Sequence, residues 1–456
     1  MLLKNIGQTV IAGLGMALCA ATFSQQLPAS DETSEANASQ ETVGQAFAVH
    51  GQTTVVEQLT APFHAPYSGP NSLSPRHGAE TLDTTLFLGA RLWSGAEAWV
   101  NPELDQGFGL DDTLGLAGFP SGAAYKVGRP YVYWRLQRLF MRQTVNLGGD
   151  QQPLEPDANQ LGGSQSANRW VFTVGKLSVP DIFDANQYAH DPRNDFLNWS
   201  AVDAGTFDYA ADSWGFTVGG TAEWYQGDWA LRAGVFDLSN VPNSETLEPG
   251  FREFQWLAEL ERRHELMGKP GKLLVTLFDT RGRMALLDQA VSVAQATGED
   301  INAVLVDVRR YRSRVGASLD LEQQLSSDLG MFARAGKAAG NVETYEFTDI
   351  DRALSAGLSL QGKRWGRADD TVGLAGIVNQ ISAAREQYLN AGGLGILVGD
   401  GQLPHPGPEQ ILETYYRLAA TKWFQLTFDY QYVVNPAYNT DRGPVSIFAL
   451  RVHAQF

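Results

Sequence analysis

The chain contains one cysteine, Cys19, in 456 residues. A disulfide framework and a thiolate metal site both need several, so neither is available. Beyond the first two dozen residues no apolar run reaches the roughly 18–20 residues that a membrane-spanning helix requires. If this chain crosses a bilayer, it must do so as a closed barrel of strands. Basic residues are also in short supply: 34 Lys and Arg stand against 51 Asp and Glu, a net charge of −17. The basic stripe of a nucleic-acid binder is therefore missing, and no nucleic-acid partner is expected. Catalytic signatures are absent too. "RHEL" at Arg263–Leu266 lacks the second histidine of a zinc-protease motif, and there is neither a G-x-S-x-G elbow nor a phosphate-binding loop. The seven histidines are scattered, and His64, His77, His190 and His405 lie in Pro-containing loops without ligand spacing. No enzyme activity, metal or cofactor is expected.

What is present is glycine (47 residues), aromatics (11%) and alternation. Mean hydropathy is only −0.22, a value that transmembrane barrels share with soluble proteins because lipid-facing and lumen-facing residues cancel. In "VSIFALRVHAQF", Phe448, Leu450, Val452, Ala454 and Phe456 form an apolar row opposite Arg451, His453 and Gln455. That is period two, a strand with one apolar face; alone it fits the edge of a soluble sandwich as well as a membrane strand. "WFQLTFDYQYV" sets Phe424, Leu426, Phe428, Tyr430 and Tyr432 against Gln425, Thr427, Asp429 and Gln431, the look of a lipid face ending in an aromatic belt. "SWGFTVGGTAEWY" gives Trp214, Phe216, Val218, Ala222 and Trp224, and "TLFLGARLW" gives Leu86, Leu88, Ala90 and Leu92 opposite Arg91. Weaker segments cover 131–143, 169–179, 229–237, 252–264, 272–280, 309–337, 351–361 and 371–380. Tight joins at Gln226–Asp228 and Thr421–Lys422 alternate with long ones at 144–168, 181–212, 282–302 and 381–410, the pattern of short periplasmic turns and long outer loops. About fifteen strands are visible, and bacterial barrels favour even numbers, so an all-β transmembrane antiparallel barrel of about sixteen strands is expected.

The organisation reads as three parts. Residues 1–24 resemble a secretory signal, with Lys4 before an apolar stretch from Val10 to Ala21, so the chain is exported and Cys19 leaves with the signal. Residues 25–80 read as a flexible, acidic and Pro-rich segment, and residues 81–456 as the barrel. The chain would then lie in the outer membrane, among its lipids.

Parity sends Arg91, Arg135, Arg232, Arg334, Arg417 and Arg451 to the polar face with Glu97, Glu223, Glu253, Glu259 and Asp429, and sets Arg310, Arg312 and Arg314 as a ladder on one strand. On a soluble sheet these would be solvated; inside a barrel they line the path. Trp93, Trp99 and Trp423 read as girdle or as sugar-stacking rings. The loop "SVPDIFDANQYAHDPRNDFLNWSAVDAGTFDYAAD" is too long for a turn and too aromatic for a linker. It is expected either to fold inward as a constriction, with Asp191, Arg193, Asp195 and Trp199 near the path, or to pack as an outer loop. Mixed charge of this kind suits neutral, hydroxyl-rich solutes.

Several long blocks carry a family resemblance: Gly89–Gly128, Gly175–Gly220, "DLSNVPN" at Asp237–Asn243, "ERRHELMGKPGKL" at Glu261–Leu273, and Ala391–Tyr416. In that order they resemble the carbohydrate-selective porin family, the glucose porins of Gram-negative outer membranes. The resemblance implies a sixteen-stranded barrel, possibly homotrimeric, that passes sugars by diffusion through a constriction of arginines and carboxylates. The terminal Phe456 is expected to serve as a signal for the barrel-assembly machinery. A general or organic-anion porin on the same scaffold is the alternative function; a barrel enzyme or adhesin and a soluble periplasmic sugar-binding protein are the alternatives from other classes.

Overall fold

A computed structural model describes residues 44–456; the expected signal and residues 25–43 lie outside the described residues. Sixteen antiparallel strands close into one barrel in which every strand pairs with its neighbours in the chain and the first pairs with the last. They are β1 (Phe47–Thr60), β2 (Gly78–Trp93), β3 (Ala96–Gly107), β4 (Arg129–Leu154), β5 (Gly163–Leu177), β6 (Thr217–Gln226), β7 (Trp229–Asp237) and β8 (Phe254–Leu266). The second half continues with β9 (Lys269–Met284), β10 (Arg310–Gln324), β11 (Leu329–Ala338), β12 (Arg352–Gly362), β13 (Arg367–Gln380), β14 (Glu409–Ala419), β15 (Phe424–Val434) and β16 (Val445–Gln455). Closure leaves no unpaired edge, which is what a sheet in hydrocarbon needs.

The joins alternate as the sequence suggested. At the end carrying the first residues of β1 and the last of β16 they are brief; residues 267–268, for example, are Met267 and Gly268 with φ of 52° and 71°. Two positive φ angles are the signature of the type I′ turn, whose twist matches the flanking strands. At the other end every connection is long, from residues 61–77 to residues 435–444. By that asymmetry the long-loop end is the extracellular one.

Three expectations need correction. Residues 47–60, read as part of a flexible segment, form β1, so the barrel begins at Phe47 and not near residue 81. Alternation on β1 is blurred: Ala48 and Val56 face the lumen beside Thr54 and Gln58, while Thr53 and Glu57 share the outer face with Val49 and Leu59. The join expected over 144–168 shrinks to 155–162, because β4 runs for 26 residues and projects past the neighbouring turn. Trp214 and Phe216, read as girdle, precede β6 and are buried in the loop before it; Trp214 donates from its Nε1 to the Tyr133 hydroxyl at 3.1 Å.

Elsewhere parity and structure agree. Phe448, Phe428, Leu412, Leu374 and Leu277 are exposed on the outer wall, and Trp93, Trp229 and Trp423 ring its short-turn end. The Phe456 backbone pairs with Gly51, whose missing side chain leaves room for the Phe456 ring. The core lies inside the barrel rather than between layers: Phe183, Phe196, Trp199 and Phe207 from the loop after β5 pack against wall residues such as Phe278, Phe332 and Ile411.

Because β1 closes the ring, deleting residues 47–60 strands the edges of β2 and β16. The expected outcome is loss of the compact, heat-modifiable band on an unheated SDS gel. A compact band of unchanged heat sensitivity would contradict the assigned role of β1.

Candidate functional site

The connection between β5 and β6, residues 178–216, turns into the lumen and is fastened to most of the wall. Asp184 N donates to Glu259 Oε2 on β8 at 2.8 Å. Asn186 Nδ2 reaches Asp320 on β10 at 2.7 Å. Arg193 Nε meets Asp83 on β2 at 2.9 Å, and Arg451 on β16 donates to the carbonyls of Pro192 and Asp195 at 2.6 and 2.8 Å. Arg417 on β14 holds the Asn194 carbonyl at 3.2 Å. Arg334 on β11 is paired with Asp320 at 3.0 Å and donates to the carbonyls of Ala201 and Ala189. Asp208 pairs with Arg314 at 3.4 Å and accepts from three consecutive backbone amides, Tyr345 to Phe347. Gly330 gives Tyr188 its seat, since a Cβ there would overlap the ring.

Buried polar groups must be satisfied, and here the wall charges and the loop satisfy one another. Within the loop, burial opposes ionisation of Asp191, but the Arg193 charge together with hydrogen bonds from Arg193 N and Asn194 Nδ2 outweighs it and holds the carboxyl below its ordinary range. At Asp203, burial and the nearby Asp184 outweigh the charge of Arg334 and push the carboxyl well up. The loop covers the inner faces of β10 to β16, where Ser318, Arg334, Ser355, Glu413, Thr427 and Arg451 are all buried.

Open space remains on the opposite side. A cavity of about 1200 Å³ is bounded by β2 to β7 and roofed by Asp181, Ile182 and Ala185 of the inward loop. Its charged lining comprises Arg91, Arg142, Arg169 and Arg232 with Glu97, Asp157, Asp181 and Glu223, four cations and four carboxylates. Arg142 pairs with Glu97 at 2.7 Å. Arg232 is held by Glu259 and Glu261 at 2.8 and 2.7 Å. Arg91 and Arg169 are bonded only to neutral oxygens: Arg91 to the carbonyls of Gln45 and Gly162, Arg169 to those of Ser166 and Ala167 and to the Gln152 side chain. The Arg169 guanidinium lies 3.9 Å over the Tyr225 ring, and the Tyr225 hydroxyl donates to Glu223 at 2.6 Å.

Of the residues singled out by parity, the cavity brings together Arg91, Glu97 and Arg232. Arg135 is higher up, stacked 3.4 Å over Trp214 and paired with Asp212 at 3.0 Å. The ladder on β10 does not line open space. Arg310 is exposed at the lip and bonds backbone carbonyls; Arg312 bonds the Met284 carbonyl; Arg314 is 0% exposed. Arg451 is likewise 0% exposed, and Glu253 accepts from the Tyr345 hydroxyl above the wall. Asp429 is buried beside Gln431, which donates to it at 3.2 Å. Asp191, Arg193 and Asp195 lie within the inward loop against β2 and β16, and Trp199 is stacked on Phe119 at 5.1 Å, away from the cavity. Trp99 is buried over Gly89, while Trp93 and Trp423 are on the outer wall. Glu223, also sent to the polar face by parity, joins Arg91, Glu97 and Arg232 in the cavity, whereas sequence reasoning missed Arg142, Arg169 and Tyr225. Arg169 alternates with Val171 and Thr173, so the same parity test would have found it.

A closed sixteen-stranded barrel narrowed by an inward loop, with a polar cavity along one wall, defines a diffusion channel of the outer-membrane porin class. The profile of the carbohydrate-selective porin, OprB family, matches residues 72–456, and the chain belongs to that family. No curated protein matches it. Among solved structures, OprB of Pseudomonas putida at high pH is similar with a TM-score of 0.66 at 14% identity, covering 90% of this chain and 94% of that one. The low-pH structure of the same porin gives 0.48 at 11% identity over 90% and 93%. The channel DcaP of Acinetobacter baumannii gives 0.48 at 10% identity over 91% and 98%.

Two outcomes are expected of the inward loop. Arg334→Ala leaves the buried Asp184 and Asp320 without their cation and should cost about 3–5 kcal/mol, read as a lowered unfolding midpoint in detergent; an unchanged midpoint would remove Arg334 as an anchor. Deleting Asn186–Asn198 should uncover the β10 to β16 wall and raise single-channel conductance, and equal conductance would contradict the constriction.

Proposed function

We propose that this porin admits glucose and similar neutral sugars by passive diffusion, and that they travel through the cavity along β2 to β7. The observation that carries the reading is the matched set of four arginines and four carboxylates in that cavity. Guanidinium donors and carboxylate acceptors can exchange hydrogen bonds with sugar hydroxyls, and a balanced field neither draws in nor repels a neutral solute. Tyr225 stacks against the Arg169 guanidinium and holds it at the cavity wall.

A second reading rests on Arg91 and Arg169. Neither is ion-paired among the described residues, so both can offer positive charge to a small organic anion. The two readings separate in liposome swelling with glucose, a neutral non-sugar of similar size and an organic anion. A sugar-tuned pore swells fastest with glucose, and Arg169→Ala lowers that rate several-fold relative to the neutral control. Fastest swelling with the anion would replace the first reading by the second, and equal rates for all three would contradict both.

The finer assignments belong to the same proposal. An export signal at residues 1–24, recognition of the terminal Phe456 by the assembly machinery, and trimers in the membrane all fit an outer-membrane barrel in which Phe456 follows β16 and pairs with Gly51. Phe456→Ala should slow the appearance of folded barrel in cells and let the unfolded form accumulate; folding at the normal rate would remove Phe456 from that role.

A further inference from the structure

The outer wall carries a charge pattern that sugar passage does not use. Near the extracellular ends of β9, β11 and β12, the outward-facing positions are Arg281, Arg283, Lys337 and Arg352, and all four are exposed. None takes part in an ion pair or side-chain hydrogen bond among the described residues. Lys337 and Arg352 are directly opposed across the β11–β12 ladder, a like-charge pairing that is unfavourable on its own. The acidic balance of the whole chain, −17, makes four unpaired cations on one face all the more unusual. The one carboxylate on this outward face of β9 to β12 is Asp279, below Arg281, and it is already bonded by Trp256 Nε1 and Ser313 Oγ at 3.2 and 3.3 Å.

The wall between and below these cations is shaped as well as charged. Between them, β10 presents Ser313, Val315 and Ala317, with Ser313 opposite Arg281 and Ala317 opposite Lys337. Lower down, Ala335 lies between Leu319 and Leu354 in register, and the exposed Leu277, Leu319 and Leu354 flank a shallow trough of small side chains. The cations stand at the extracellular ends of their strands, with exposed apolar side chains below them.

We propose that this face of β9 to β12 binds a phosphorylated glycolipid of the outer leaflet, its phosphates bridging Arg281 and Arg283 to Lys337 and Arg352 and its acyl chains lying along the trough. Phosphate is the anion that guanidinium and ammonium groups recognise best at such a surface. A bridging phosphate also turns the Lys337–Arg352 opposition from a cost into a site. The four side chains point away from the lumen, so lipid binding and sugar passage are separable.

The test uses the full-length porin in neutral detergent, with binding of bis-phosphorylated lipid A followed by native mass spectrometry. The same lipid stripped of phosphate and inorganic phosphate serve as the other probes. The expected result is binding of the phosphorylated lipid, at least about tenfold weaker binding of the stripped form, and a similar loss in R281Q/R283Q/K337Q/R352Q. Glucose swelling of that variant should equal the wild type. If the fourfold variant does not fold, R281Q/R283Q and K337Q/R352Q are expected each to weaken binding, while Lys363→Gln at the short-turn end leaves it intact. Equal binding of the stripped lipid, undiminished binding by the variants, or full displacement by millimolar inorganic phosphate would overturn the proposal.

Discussion

An unpaired amide in hydrocarbon costs several kcal/mol, and the rest of this structure follows from avoiding it. The sheet must close, so β1 pairs with β16 through registers such as Thr54 to His453 and Val56 to Arg451. Closure of sixteen strands then encloses more space than wall side chains can fill. The chain fills the β10 to β16 side with its own loop and leaves a polar cavity of about 1200 Å³ along β2 to β7.

That division explains the uses to which the lumenal charges are put. On the β10 to β16 side, Arg314, Arg334, Arg417, Arg451 and Glu413 meet loop backbone or loop carboxylates, so their charge is consumed in holding residues 184–209 in place. On the β2 to β7 side, arginines and carboxylates balance within the cavity, and two guanidinium groups bond only neutral oxygens. One residue type thus serves as a staple where the loop reaches it and as a solute contact where it does not.

Much of the fold is readable from side-chain alternation. The closing strand, the lipid faces of β14 to β16 and the even strand number follow from parity and loop length, whereas loop length alone left open whether the connection after β5 folds inward or packs outside. Alternation failed on β1, where Thr53 and Glu57 face outward while Val56 faces inward. It also overran the start of β6 at Trp214 and Phe216. For the site, parity gives the face of a side chain but neither its height nor what covers it. Arg310, Arg312 and Arg314 share a face, yet one is exposed at the lip, one bonds the carbonyl at the end of β9 and one is sealed under the inward loop. Arg169 and Glu223 had the right parity, but only the three-dimensional course of the loop shows that their side of the barrel stays open.

The central claim is that water and solute follow the β2 to β7 wall. Thiol accessibility tests it directly, because the lone cysteine lies in the expected signal and introduced ones can be read singly. Asn146→Cys and Thr144→Cys line the cavity, whereas Ser318→Cys and Thr427→Cys lie beneath the loop. A bulky water-soluble thiol reagent added to the open channel is expected to modify the first pair and reduce its current while leaving the second pair unmodified. Rapid modification and block at Ser318→Cys or Thr427→Cys, with none at Asn146→Cys or Thr144→Cys, would place the path on the opposite wall and contradict the account.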